Sequence, residues 1–510
     1  MDGLTHLGAA LAALAGPWQI LYALGATLCG ILIGLLPGLS ATLGVALFTT
    51  LTIKLAPTDA ILVLVCVYVG AIYGGSRTAI LLNIPGTAAN AAACLDGNQL
   101  ARQGRAGRAM GIATTGSVAG SLFGVICLAM FTPYLAETAL AFGAYEFFWL
   151  GMVGVMMSGT VTGSAPVKGW LMGLLGIFLA TIGLDPVHAE PRFTFGENAM
   201  TGGIGLIPAL VGAFGFAEIV TAMSEPRRTA VVGAADSVLP RWADLLRYRR
   251  TILRSGLLGV FIGILPGVGE DMAAWSSYAA ARRVSRERDQ FGKGSVDGLI
   301  AAETGDNAAI PGALIPALAL GIPGSAPAAV LMSAMIIHGA QPGPMLMVSQ
   351  PQFVYDVVGI TLVATLAILV FGLVLVRPIL WVLRVPREII MPTVFVLCVL
   401  GSWSIAQRLF DVGVMLIVGV VCFVLRRRGY PVAPLVLGLV LGDIIDKSLR
   451  RGLVLSDGNL APFFTRPICI VLVALALAML LAQIPATRRL FIRPAAIGRR
   501  PAIDPDRVSR

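Results

Sequence analysis

Gly34-Leu35-Leu36-Pro37-Gly38-Leu39 and Asn83-Ile84-Pro85-Gly86-Thr87 stand in the first half of the chain. Gly263-Ile264-Leu265-Pro266-Gly267-Val268 and Gly321-Ile322-Pro323-Gly324-Ser325 stand, in the same order, in the second. Each sets a helix breaker inside strongly apolar sequence. Proline lacks the amide a helix interior needs, and glycine tolerates left-handed backbone. Interrupted hydrophobic segments at corresponding places in two halves are the best sequence pointer to a transporter binding site near the bilayer midplane.

The surrounding composition agrees. The 510 residues are 57% hydrophobic and 13% charged, with a mean hydropathy of +0.86. Soluble domains carry about a quarter charged residues. Many windows reach the ~20 apolar residues of a spanning helix, and they are too long for barrel strands. The expected fold is an all-α polytopic membrane protein with about eleven spans plus re-entrant hairpins. The net charge of +10 comes from basic residues flanking apolar segments, which reads as loop charge under the positive-inside rule and gives no nucleic-acid patch. The seven cysteines are scattered without metal-ligand spacing and read as small core hydrophobes. Met1 to Pro17 lacks a basic n-region and makes a poor signal peptide.

Charge also orients the two halves. Arg102, Arg105 and Arg108 follow the first Ile-Pro-Gly, whereas Ala334 to Val357, after the second, holds no Lys or Arg. The second Leu-Pro-Gly is bracketed by Arg247, Arg249, Arg250 and Arg254 and by Arg282, Arg283, Arg286 and Arg288; the first has only Lys54 behind it. One span from Arg254 to Arg282 would put dense positive charge on both faces. A hairpin with arms of about 13 residues, roughly 20 Å each, brings both flanks to one face and its tip past the midplane. The second tip is thus expected to enter from the cytoplasm and the first from outside, as in an inverted-topology repeat.

The expected divisions are a first repeat over 1–225, a cytoplasmic amphipathic connection over 226–254, a second repeat over 255–487 and a basic cytoplasmic tail over 488–510. Parity puts the N-terminus outside and the C-terminus inside. Lys447, Arg450 and Arg451 fall on the wrong side of this count, and the 432–446 window is short enough for another re-entrant piece. Glu137, Asp185 and Glu190 read as solvated outer-loop residues.

The breaks supply the candidate substrate site. Half-helix N-termini offer free N–H groups and a positive dipole end to an anion. The candidates are Pro37, Gly38 and Ser40; Ser76, Arg77 and Thr78; Pro85, Gly86 and Thr87; Pro266 and Gly267; and Pro323, Gly324 and Ser325. The Arg77 guanidinium could grip a carboxylate at two points, or it could serve freed backbone carbonyls. The hydroxyls, and Glu270 and Asp271 after the second tip, could equally be helix caps. Asn83, Glu303, Asp306 and Asn307 are candidates for holding a cation or proton. No zinc-protease, nucleophile-elbow, phosphate-loop or EF-hand motif is present, so the chain reads as no enzyme, without an organic cofactor.

At these residues the chain resembles the large membrane subunit of the tripartite tricarboxylate transporters, the TctA-type permeases. The resemblance runs through Gly34 to Gly38, Tyr73 to Gly86, Asp96-Gly97, Gly104 to Ala109, Gly263 to Gly267, Phe291 to Gly294, Glu303 to Ala308, Leu320 to Gly324 and His338 to Pro344. It implies secondary uptake of a small carboxylate, tricarboxylate or dicarboxylate, across the bacterial inner membrane. It further implies a small membrane subunit, a periplasmic solute-binding protein, a sodium or proton gradient and an elevator-like movement. Members often carry Asn-Asn where this chain reads Asp306-Asn307, an added carboxylate. A stand-alone organic-anion transporter is the alternative, an intramembrane enzyme a remote one, and a channel fits poorly for want of a pore-lining charge ring.

Overall fold

In a computed structural model the chain is almost wholly helical, and residues 2–36, 38–161, 165–185, 188–224, 242–374 and 387–481 are described. Pro37, residues 226–241 of the expected connection and the tail over 488–510 lie outside them. Among the described residues the only strands are the antiparallel pair Gly183–Leu184 and Pro191–Arg192. Among the described residues six helices are long and apolar enough to cross a membrane: Pro17–Leu35, Pro57–Leu82, Ala106–Ala139, Leu206–Ser224, Pro351–Val374 and Leu409–Arg427. The other expected spans fall on shorter apolar helices, such as Pro166–Ala180 and Pro467–Leu481, or on the charged helix Ala433–Leu455.

The breaks divide each half alike. Pro17–Leu35 and Ala41–Leu51 are the arms of a first hairpin, followed by the long helix Pro57–Leu82. Trp242–Ile264 and Gly269–Val284 are the arms of a second, followed by the long helix Val296–Leu320. Residues 242–254 of the expected connection are thus the first turns of a hairpin arm. Although Pro17–Leu35 is long enough to cross, the chain turns back: Gln19 Nε2 donates to Asp59 Oδ1 at 3.3 Å, joining the start of the first arm to the residues past the end of the second. The Arg247–Glu287 ion pair closes the second hairpin at the equivalent place, bringing its two basic flanks to one face as the charge pattern predicts.

The match extends to single backbone atoms. At the tips, Gly38 and Gly267 take left-handed φ of 96° and 70°. Leu36 N donates to Ile33 O at 3.1 Å and Leu265 N to Ile262 O at 3.0 Å. The long helices end on left-handed Asn83 (φ 56°) and Gly321 (φ 71°). Gly86 N then donates to Gly75 O, and Gly324 N to Ala313 O, both at 3.3 Å. Within the tips, and separately within the long helices and their breaks, the paired residues keep one constant separation along the chain.

Glycine permits the packing. A Cβ on Gly30 or Gly34 would strike the backbone of Val67 or Ala71; one on Gly259 or Gly263 would strike that of Gly305 or Ala309. Such close approach is how helices gain dispersion contact where lipid supplies no hydrophobic drive. The two halves are also latched together. Asp96 Oδ1 accepts from the amides of Gly292, Gly294 and Ser295 at 2.8, 2.9 and 2.8 Å, and Oδ2 accepts from Tyr278 OH at 2.9 Å.

The later helices correct two sequence expectations. Ala433–Leu455 is one continuous helix, so the 432–446 window is not a separate re-entrant piece. Asp185 is buried and paired with Arg450 at 2.8 Å, so it is no solvated loop residue. Arg450 also meets Asp446, and Lys447 meets Asp443. Acidic partners therefore offset Lys447 and Arg450, two of the basic residues on the wrong side of the count.

Candidate substrate chamber

Both tips and both second breaks reach one cavity of about 530 Å³. The first half contributes Gly38, Ser40, Thr42, Pro85, Gly86 and Thr87; the second contributes Gly267, Glu270, Asp271, Ser325 and Pro327. Three half-helices begin at its wall, Ala41–Leu51, Gly269–Val284 and Ala326–Ile337. Ser40 Oγ caps the first by accepting from Leu43 N at 3.2 Å, and Ser325 Oγ caps the third from Ala328 N at 3.3 Å. These hydroxyls therefore cap their helices and line the cavity at once.

The remaining wall comes from elsewhere. A π-helical turn over Val211–Phe216 presents Ala213 and Phe214. Such wide turns are frequent at functional sites. The Leu409–Arg427 helix ends at the cavity and Ala433–Leu455 begins beside it, bringing in Arg426 and Tyr430. Arg426 pairs with Glu218, also in the wall.

Behind the cavity lies a buried polar network joining the halves. From the first half, Thr87 Oγ1 donates to Asn90 Oδ1 at 2.6 Å, and Asn90 Nδ2 reaches Ser76 Oγ at 2.9 Å and Asp306 Oδ2 at 3.2 Å. Ser76 and Ser117 donate to Glu303 Oε2 at 2.8 and 2.9 Å, and Asn307 Nδ2 donates to Asp306 Oδ1 at 2.6 Å. Glu303 Oε1, Asn307 Oδ1 and Thr304 Oγ1 are buried and make no hydrogen bond among the described residues. On the other side, Tyr68 OH donates to Glu270 Oε1 and meets Ser325 Oγ at 2.8 Å.

Several sequence candidates sit away from the cavity. Arg77 is fully buried, donates to Met110 O and Thr114 Oγ1 at 2.8 Å each, and stacks its guanidinium 4.3 Å from the Tyr73 ring centroid. Both bonds go to the Ala106–Ala139 helix, its buried Nε has no hydrogen-bond partner among the described residues, and it does not line the cavity. Ser76 belongs to the network behind the wall. Thr78 Oγ1 bonds back to Gly75 O at 3.0 Å. Pro266, Pro323 and Gly324 shape the breaks without lining the cavity. Asn83 is exposed at its helix end and is not hydrogen-bonded to Glu303, Asp306 or Asn307, which do meet. Tyr68, Asn90 and the Glu218–Arg426 pair were missed. Asn90, a polar residue between alanines just past a break, carried the one available signal.

A family model described as the tripartite tricarboxylate transporter TctA family matches residues 20–437, which covers both hairpins, both long helices and the cavity. The chain belongs to the TctA family. A relative from Agrobacterium vitis, an uncharacterized 52.8 kDa protein in the TAR-I ttuC' 3'region, is 34% identical over 494 residues, 96% of this chain and 98% of its own length. Another from the same organism, an uncharacterized protein in the TAR-II ttuC' 3'region, is 34% identical over 233 residues, 45% of this chain and 96% of its own length. No solved structure matches this TctA chain. The family is one of multi-pass transporters, not of enzymes.

Proposed function

We propose that this TctA protein is the permease subunit of a binding-protein-dependent secondary transporter that takes up a small tricarboxylate or dicarboxylate across the bacterial inner membrane. It works with a small membrane subunit and a periplasmic solute-binding protein. The observation that carries the reading is the meeting of Gly38 and Gly267 of the two hairpin tips in one cavity with capped half-helix N-termini around it. Free N–H groups and positive dipole ends there suit a carboxylate.

The wall also holds Glu270 and Asp271, which repel a carboxylate in a low dielectric. Substrate and these carboxylates share the cavity only when a proton or sodium ion offsets the repulsion. That requirement couples the anion to a cation gradient. A second station for the cation is the network behind the wall, where Asp306 meets only the amides of Asn90 and Asn307 and has no ion-pair partner among the described residues. Arg426 in the cavity wall, with Arg427 and Arg428 next to it in the sequence, supports a cytoplasmic mouth under the positive-inside rule. The described conformation is then the one that releases substrate inward, with the C-terminus inside and the N-terminus outside.

Uptake into proteoliposomes containing all three subunits tests the reading. A sodium or proton gradient drives carboxylate uptake in the wild type, and Ala88→Phe, which adds bulk at an exposed alanine of the cavity wall, abolishes it. Uptake that survives Ala88→Phe in folded protein overturns the site. Uptake by this chain alone selects the stand-alone alternative.

A further inference from the structure

Far from the chamber, the second hairpin carries another cavity, of about 610 Å³, between the first turns of Trp242–Ile264 and the loop after Gly269–Val284. Arg249, Arg250, Arg254 and Arg286 line it. Two carboxylates are also present but are engaged: Glu287 with Arg247, and Asp297 with Thr251 Oγ1 at 2.6 Å. Arg249, Arg250 and Arg286 have no hydrogen-bond or ion-pair partner among the described residues, and the buried Nε of Arg254 has none either. This concentration of unspent guanidinium calls for an anion.

What adjoins the cavity identifies that anion. On the same helix Leu246, Leu253, Leu257 and Phe261 are 70, 56, 56 and 63% exposed. Their spacing places them on one helical face, a stripe running from the arginines toward the hairpin tip. A soluble anion has no use for such a stripe. A phospholipid fills both parts, since its phosphate takes the fork of an arginine and its chains cover leucine and phenylalanine.

We propose that this cavity is a headgroup site for an anionic phospholipid of the surrounding bilayer, with the acyl chains along Leu253, Leu257 and Phe261. The lipid thereby fastens the base of the second hairpin to the membrane surface while its tip lies at the chamber. The site is separate from the chamber and stands whether or not the transported solute is a carboxylate.

Native mass spectrometry of the full chain in detergent, titrated with phosphatidylglycerol or phosphatidylcholine, tests it. The wild type is expected to retain phosphatidylglycerol preferentially, and soluble glycerol phosphate is not expected to displace it. The R249Q/R250Q/R286Q variant is expected to lose about a hundredfold in that retention. Arg286→Gln, a change in an exposed loop residue, carries the test if the triple variant does not fold, with a loss of about fivefold. Leu257→Ser is expected to weaken lipid retention as well. Equal retention by the wild type and Arg286→Gln overturns the proposal, as does displacement by glycerol phosphate, which marks a soluble-anion pocket.

Discussion

The two halves share a backbone and differ in chemistry. At the first tip the residues beginning the half-helix are Ser40, Ala41 and Thr42; the equivalent residues at the second are Gly269, Glu270 and Asp271. Along the long helices, Val65, Tyr68 and Val69 correspond to Glu303, Asp306 and Asn307, while Arg77 corresponds to Ile315. Tyr68 and Asp306 occupy equivalent positions, and each reaches across to the other half's break, Tyr68 to Ser325 and Asp306 to Asn90 beside Thr87. The duplicated scaffold thus fixes where polar groups meet, and each copy supplies different ones. A neutral, hydroxyl-bearing tip faces an acidic tip across one cavity, the division of labour expected where an anion and a cation bind together.

The largest test of this contrast is Arg77. Removing the buried guanidinium leaves Glu303 without its counter-charge, and Arg77→Gln is expected to cost about 3 kcal/mol or more of stability. Thermal unfolding in detergent reads the loss. An unaltered melting curve with a raised KM for substrate would return Arg77 to the binding site. Next come the matched glycines: a Cβ on Gly86 meets the Gly34 carbonyl and one on Gly324 meets that of Gly263. Gly86→Ala and Gly324→Ala should each destabilise by about 1–3 kcal/mol. A tolerated change at one site alone, measured in the same melts, breaks the equivalence of the two breaks.

Glu270→Gln keeps the shape but removes the acid. We expect coupled uptake to fall roughly tenfold to a hundredfold, the effect of losing a hydrogen bond to a charged group. Substrate exchange that needs no gradient should be less affected, and equal loss in both assays would make Glu270 structural. The smallest effect separates the equivalent pair. Tyr68→Phe, which removes a hydroxyl bonded to both Glu270 and Ser325, should slow uptake about tenfold, the lower end of losing a hydrogen bond to a charged group, without reshaping its pH profile. Asp306→Asn should flatten that profile while leaving expression intact.

The sequence revealed what acts locally. Proline and glycine interrupt a helix whatever surrounds them, so both hairpins, the long helices and the convergence of Gly38, Gly86 and Gly267 could be read from residue type and charge. Contacts across the halves were not legible in that way. Tyr68 looks like one more aromatic in an apolar run, and only the fold brings Glu270 and Ser325 to its hydroxyl. Arg77 failed in the opposite sense. An intramembrane arginine signals function by default, but the carbonyl and hydroxyl that occupy it, Met110 O and Thr114 Oγ1, lie on a later helix whose register the sequence does not announce.

The grip of Asp96 on the loop from Gly292 to Ser295 bears on how the molecule can move. One carboxylate ties three amides of one loop and the Tyr278 hydroxyl, all from the opposite half. The halves cannot slide apart at that end without surrendering the whole set of bonds together. A rearrangement that exposes the chamber to the other side of the membrane is therefore cheapest as a swing about Asp96, with the greatest travel at the end of the molecule most distant from it.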